Sequence, residues 1–174
     1  MPTYTIFAGV NGAGKTTLYS TLLQENHDFG VRVNSDEIVI SNGGDWRNKS
    51  DQAKAMKIAV KLIKDCMNKG ISFNQETTLT GKSMINNILK AKKLGYKIIM
   101  NYVGLSSSEL AIQRVAHRVS MGGHGIPEED IKRRYYVSLS KLKELMSLID
   151  VLYIYDNSKH MNLVAKTIAG YCTL

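Results

Sequence analysis

Short apolar runs alternate along this chain with stretches of helical spacing, and the alternation predicts its elements one by one. Tyr4 to Ala8 (YTIFA) is an apolar run that stops at Gly9, as a buried parallel strand does. Beyond Gly12 and Gly14, Lys15 to Gln24 carries helical spacing. Val31 to Asn34 reads as a second short strand, with Ser35 and Asp36 at its end. From Ser50 to Asn68, apolar residues recur at Ala55, Ala59, Leu62, Ile63 and Cys66, while Lys54, Lys57, Lys61 and Lys64 take the other face. That is an amphipathic helix closed by Gly70, and Cys66 on its apolar stripe reads as a packed thiol.

The same reading continues to the end of the chain. Ile71 to Gln75 is a third strand, Gly81 to Leu94 a helix stopped by Gly95, and Lys97 to Val103 (KIIMNYV) a fourth strand. Ser106 and Glu109 form a capping-box pattern that opens a helix running to about Ser120. Met121 to Gly125 (MGGHG) is a loop. Pro127 with Glu128, Glu129 and Asp130 starts the next helix, whose stripe of Tyr135, Leu139, Leu142, Met146 and Ile149 faces a core. Val151 to Tyr155 (VLYIY) is a fifth strand, and a final helix is expected around Leu163 to Ala169. Strands alternating with helices predict a three-layer α/β/α sandwich around a mostly parallel, five-stranded sheet.

Composition narrows the class. With 174 residues the chain is one domain with room for a full core. An apolar share of 44% and a charged share of 22% exclude disordered and fibrous classes. No apolar stretch approaches the roughly 18 to 20 residues that span a bilayer, and MPTYTIFAG does not read as a signal peptide. Two cysteines are too few for a disulfide framework or a metal cluster, so a cytoplasmic protein is expected. The net charge of +8 suits a polyanionic ligand. No aromatic-interleaved basic stripe accompanies it, which argues against nucleic acid.

Candidate chemistry begins directly after the first strand. Gly9-Val10-Asn11-Gly12-Ala13-Gly14-Lys15-Thr16 fits G-x-x-x-x-G-K-[ST] without a mismatch, and Thr17 follows it. Glycines let the backbone N–H groups turn inward around phosphate oxygens at the positive end of a helix. Lys15 then reaches the β- and γ-phosphates of ATP, and the Thr16 hydroxyl binds Mg²⁺. Asp36, after the second strand, falls at the carboxyl edge of the sheet, where such folds bind ligands. It reads as a base for a substrate hydroxyl or a help to Mg²⁺; the alternative is a helix N-cap. Glu76, Thr77 and Thr78 follow the third strand, so they reach the same edge and suit hydroxyl groups of a substrate or a metal-bound water; the alternative is a turn filled with polar residues. Arg114, Arg118, Lys132, Arg133 and Arg134 bracket the glycine loop, so 114–134 reads as a lid that carries arginines to the transferring phosphoryl group. His124 in that loop reads as a loop residue, and Asn157 after the fifth strand as a neighbour of adenine.

Several of these residues together resemble one family. The phosphate loop, Asn34-Ser35-Asp36, Gln75-Glu76-Thr77-Thr78, Gly122-Gly123-His124-Gly125-Ile126-Pro127-Glu128 and Arg133-Arg134-Tyr135 look like the zeta toxin / UDP-N-acetylglucosamine kinase family. The resemblance implies ATP-dependent phosphorylation of the amino-sugar hydroxyl of a UDP-sugar. It also implies Asp36 as base, Lys15 and an arginine pair as charge stabilisers, and Glu76 in the substrate pocket. Arg118 matches the first arginine; Arg133 and Arg134 both fit the second. A small-molecule substrate is thus the expected partner, with no membrane and no nucleic acid. Antitoxin partners belong to the family, and nothing in this chain indicates one. The alternatives are a kinase for a nucleoside, sugar or small acid, and, in another class, a nucleotide-binding switch or nucleic-acid-associated ATPase. Against that class, no apolar strand ends in an Asp with a catalytic Glu beside it.

Overall fold

The computed structural model describes residues 1–168 throughout and the backbone of 171–173. Strand β1 (Thr3–Ala8) runs into helix α1 (Lys15–Gln24), then β2 (Val31–Val33), α2 (Ser35–Ser41), α3 (Lys49–Lys69), β3 (Phe73–Thr77) and α4 (Ser83–Lys93). After these come β4 (Lys97–Gly104), α5 (Ser108–Ser120), α6 (Glu128–Leu145), a 3₁₀ turn (Met146–Leu148), β5 (Val151–Asp156), β6 (Asn162–Ile168) and β7 (Tyr171–Thr173). The strands form one sheet in the order β2-β3-β1-β4-β5-β6-β7.

From β2 to β5 every pairing is parallel, so the expected five-stranded parallel layer is present. Its centre is β1, whose Tyr4, Ile6, Phe7 and Ala8 are fully buried. Alternation along β1 divides the core. Tyr4, Ile6 and Ala8 pack with Ala59 and Ile63 of α3 and Ile88 of α4, whereas Phe7 packs with Leu18 of α1 and Val115 of α5. Helices therefore cover both faces, as a parallel sheet requires.

Three expectations fail at element level. The final helix around 163–169 is instead β6, antiparallel to β5, with Ala169 outside the described residues. Without a neighbour the outer edge of β5 would leave a row of open backbone groups, and β-branched Val164, Thr167 and Ile168 suit a strand there. With β7 paired antiparallel to β6, the sheet has seven strands rather than five. Helix α5 is capped by Ser107, whose Oγ accepts the Leu110 N–H at 3.2 Å, one residue later than expected. The Ser106 backbone N–H donates to Ser158 Oγ at 2.8 Å. The register places the working edge: Phe7 lies beside Glu76 and Ala8 beside Thr77, so β1 and β3 end together.

Candidate active site

The turn after β1 is built from glycine conformations. Gly9, Gly12 and Gly14 have φ of +144°, +79° and +96°, a region that residues with a Cβ rarely enter. At Gly9 a Cβ would lie 2.3 Å from the Val103 carbonyl oxygen, so the loop leaves the sheet through a gap only glycine fits. Gly14 sits at the N-cap of α1, directing the first helical amides at the space the loop encloses. Asn157 secures this turn: its Nδ2 donates to the Ala13 carbonyl at 2.9 Å. The residue expected beside adenine is thus bonded to the loop itself.

A cleft of about 410 Å³ opens over the loop, lined by Asn11, Gly12, Gly14, Lys15, Thr16 and Thr17 on one side. Asn34, Asp36, Glu37, Ile40 and Glu76 line it from β2, α2 and β3; Arg114, Arg118 and His124 line it from α5 and the loop beyond. Lys15 is buried and its Nζ donates to the Val10 carbonyl at 3.1 Å. Burial pulls its ammonium below the usual lysine range, Glu76 and Asp36 oppose that, and Arg118 and Arg134 add to it. A ligand bearing negative charge would relieve both the burial and the arginine repulsion.

Asp36 is not the cap of its helix. Asn34 is, accepting the Asp36 N–H at 3.0 Å, which leaves the Asp36 carboxylate turned to the cleft. Glu76 is held tightly: Arg32 Nη2 donates to its Oε2 at 2.7 Å, Asn34 Nδ2 at 3.2 Å, and the Thr16 hydroxyl reaches its two oxygens at 3.0 and 3.1 Å. Arg32 also pairs with Glu37 at 2.8 Å, donates to Asn74 Oδ1 at 3.1 Å, and lies 3.8 Å above the Tyr19 ring. Thr77 and Thr78 do not join the cleft. Thr77 Oγ1 accepts the Leu79 N–H at 3.0 Å, and the Thr78 and Thr80 hydroxyls are 2.9 Å apart, so both serve the turn after β3.

The two adjacent arginines of α6 part company. Arg134 Nη1 donates to Asn11 Oδ1 of the phosphate loop at 3.2 Å, whereas Arg133 is exposed and paired with Asp130 at 2.8 Å. Arg114 is tied to the Ser158 carbonyl at 3.2 Å. Sequence reasoning missed Arg32, Glu37 and Trp46. The first had a signal, since a charge set between two valines of a short strand needs a buried partner. Trp46, between α2 and α3, touches His124 edge-to-face with ring centroids 4.4 Å apart, a tertiary contact without local trace.

A glycine-built anion cradle at the carboxyl edge of a parallel sheet, with helices on both faces, is the architecture of the P-loop kinases, which transfer phosphoryl groups. Within that class the chain belongs to the zeta toxin family, whose family model matches residues 1–168. An uncharacterized protein of Haemophilus influenzae is 33% identical over 130 residues, 74% of this chain and 89% of that one. Among solved structures, one from the PezAT toxin–antitoxin system of Streptococcus pneumoniae superposes with a TM-score of 0.66 at 19% identity, over 98% of this chain and 75% of that one. AvrRxo1-ORF1:-ORF2 with ATP gives a TM-score of 0.74 at 17% identity, over all of this chain and 60% of that one. No helix among the described residues is long and apolar enough to cross a membrane.

Proposed function

We propose that this P-loop kinase transfers the γ-phosphoryl group of ATP·Mg²⁺ to a hydroxyl of a small molecule, with Asp36 as the base. The observation that carries this reading is the placement of Asp36: Asn34 takes the capping role, and the released carboxylate faces Lys15 across one cleft. Lys15 and the inward amides of Gly12, Gly14 and Thr16 hold the β- and γ-phosphates. Arg118 and Arg134 neutralise the charge that develops in transfer; the bond from Arg134 to Asn11 of the loop supports Arg134 as the second arginine, while Arg133 pairs with Asp130. On the acceptor side this reading rests on Asp36 and Glu76, which line the cleft, rather than on Thr77 and Thr78, whose hydroxyls bond within the turn after β3.

The residues present fit Mg²⁺. The Thr16 hydroxyl and Glu76 carboxylate offer adjoining hard oxygen donors. Among the described residues no group of three His, Cys, Asp or Glu could hold a metal alone. That suits an ion bound largely through substrate phosphates and water. When bound, the ion neutralises phosphate charge. This chain's own part is to orient the phosphates on the loop and to take the acceptor proton on Asp36.

The family resemblance makes UDP-N-acetylglucosamine the first acceptor to try. A second reading, a nucleoside or sugar as acceptor, is favoured by the charge on the acceptor side. Asp36 and Glu37 stand there, and Arg133 is exposed and paired with Asp130 instead of lining the cleft. Acceptor-dependent ADP release should be measured across UDP-sugars, nucleosides, sugars and small acids, with mass spectrometry of the product. A product one phosphate heavier is expected. No acceptor-dependent release, with ATP bound, would overturn the kinase reading in favour of a nucleotide-driven switch.

A further inference from the structure

One wall of the cleft gathers polar atoms that have nothing to bond. Among the described residues, Nε and Nη2 of Arg118 and Nδ1 of His124 are buried without a hydrogen-bond partner. Folded proteins leave few such atoms, because each forfeits its water without compensation. Both residues line the cleft, so the natural partner of these atoms is whatever the cleft holds.

The His124 ring is fixed from the opposite bank. It meets Trp46 edge-to-face at 4.4 Å between centroids, with the rings inclined by 68°. Trp46 packs against the larger core cluster, and the Arg47 guanidinium lies 4.2 Å above it. Glycines let the loop lie this close. A Cβ on Gly123 would fall 2.6 Å from Arg118 Cγ, and one on Gly125 would lie 3.1 Å from Val119 Cγ2. The loop between α5 and α6 thus rests on a residue between α2 and α3, spanning the cleft.

We propose that His124 is a further catalytic residue, whose Nδ1–H donates to an oxygen of the phosphoryl group in transit beside Arg118, with Trp46 as the post that holds the ring. The proposal rests on the kinase reading. In the step itself the acceptor oxygen bonds to the γ-phosphorus as the bond to the β–γ bridging oxygen breaks, its electron pair leaving on ADP. The acceptor proton passes to Asp36. His124 exchanges no proton; it supports the equatorial oxygens.

The charged groups acting on the ring are Asp36 of α2, Arg47 beside Trp46, Arg118 of α5 and Arg134 of α6. Burial holds the imidazole below its ordinary range; Asp36 opposes this, and the three arginines reinforce it. Phosphate charge set against those arginines reverses their effect, so ligand binding moves the His124 titration upward.

Trp46 is the chain's single tryptophan, so its emission reports on the His124 contact. The test uses the full chain with Mg²⁺, ADP and aluminium fluoride, which imitates the phosphoryl group in transit. The His124 ring signals, assigned by their loss in His124→Gln, should titrate at higher pH with the probe bound, and Trp46 emission should change on binding in the parent but not in His124→Ala. Turnover of His124→Ala should fall about 10²-fold or more, the span for losing one donor to a developing charge. Its KM for ATP should stay near the parent's, and His124→Gln, which keeps an N–H, should recover part of the rate. An unmoved titration with the probe bound, or parental turnover in His124→Ala, overturns the proposal. The broader reading fails separately, if Lys15→Ala binds ATP as the parent does.

Discussion

Asp36 and Lys15 line one cleft, and Asp36 is free of the capping duty because Asn34 takes it. Asn34 caps α2, so Asp36→Asn should leave the melting temperature almost unchanged while turnover falls about 10² to 10⁴-fold, the usual span for an acid–base group. Lys15 is buried, and among the described residues the Val10 carbonyl is its one hydrogen-bond acceptor. Lys15→Ala should therefore sharply weaken ATP binding in calorimetry without unfolding the chain. His124 adds a pH signature. Its folded-state affinity for a proton is lowered, so the unfolded chain protonates first as the pH falls through about 6.5. Stability should decline below that pH and hold level above it. His124→Gln should flatten that part of the profile in thermal melts.

The elements owe their placement to backbone geometry at a few glycines. Gly9 and Gly95 both have left-handed φ, +144° and +78°, but their surroundings differ. A Cβ on Gly95 meets nothing within 4 Å, whereas one on Gly9 meets the Val103 carbonyl at 2.3 Å. Gly95→Ala should cost about 1–2 kcal/mol, the strain of the conformation alone. Gly9→Ala should cost more, since β1 and β4 must part to admit the methyl, and melting of the two variants side by side separates strain from collision. The parallel strands and helices α1 and α3 to α6 were legible from hydrophobic spacing, because burial imposes that spacing. Helix α2 and strand β6 were not. The seven residues of α2 are too few to show a period, and whether 162–168 becomes helix or strand depends on the open edge of β5, far away in sequence.

Across the whole molecule, the two banks of the cleft come from distant parts of the chain and meet at Trp46 and His124. The loop 121–127 holds its place with few backbone bonds, notably Gly122 N–H to Val119 and Gly123 N–H to Arg118, both at 2.9 Å. Hydrogen exchange at Gly122 to Gly125 should slow when ATP·Mg²⁺ is added, because the ligand supplies partners for Arg118 and His124 and bridges the mutual repulsion of the cations. Unchanged exchange at saturating nucleotide would mean a loop indifferent to the cleft beneath it.

By itself the sequence determined the sheet's parallel core, the phosphate loop and the carboxylate after β2. Each of these is set by local chemistry, in glycine spacing or apolar runs that sit next to one another in the chain. Only the tertiary structure decided which charges meet. Register brings Glu76 beside the end of β1, Arg32 reaches it from β2, and the turn of α6 sends Arg134 inward and its neighbour Arg133 out to Asp130. Electrostatic partnership depends on distance in space. A chain whose helices fold back on a sheet makes that distance unrelated to separation in sequence.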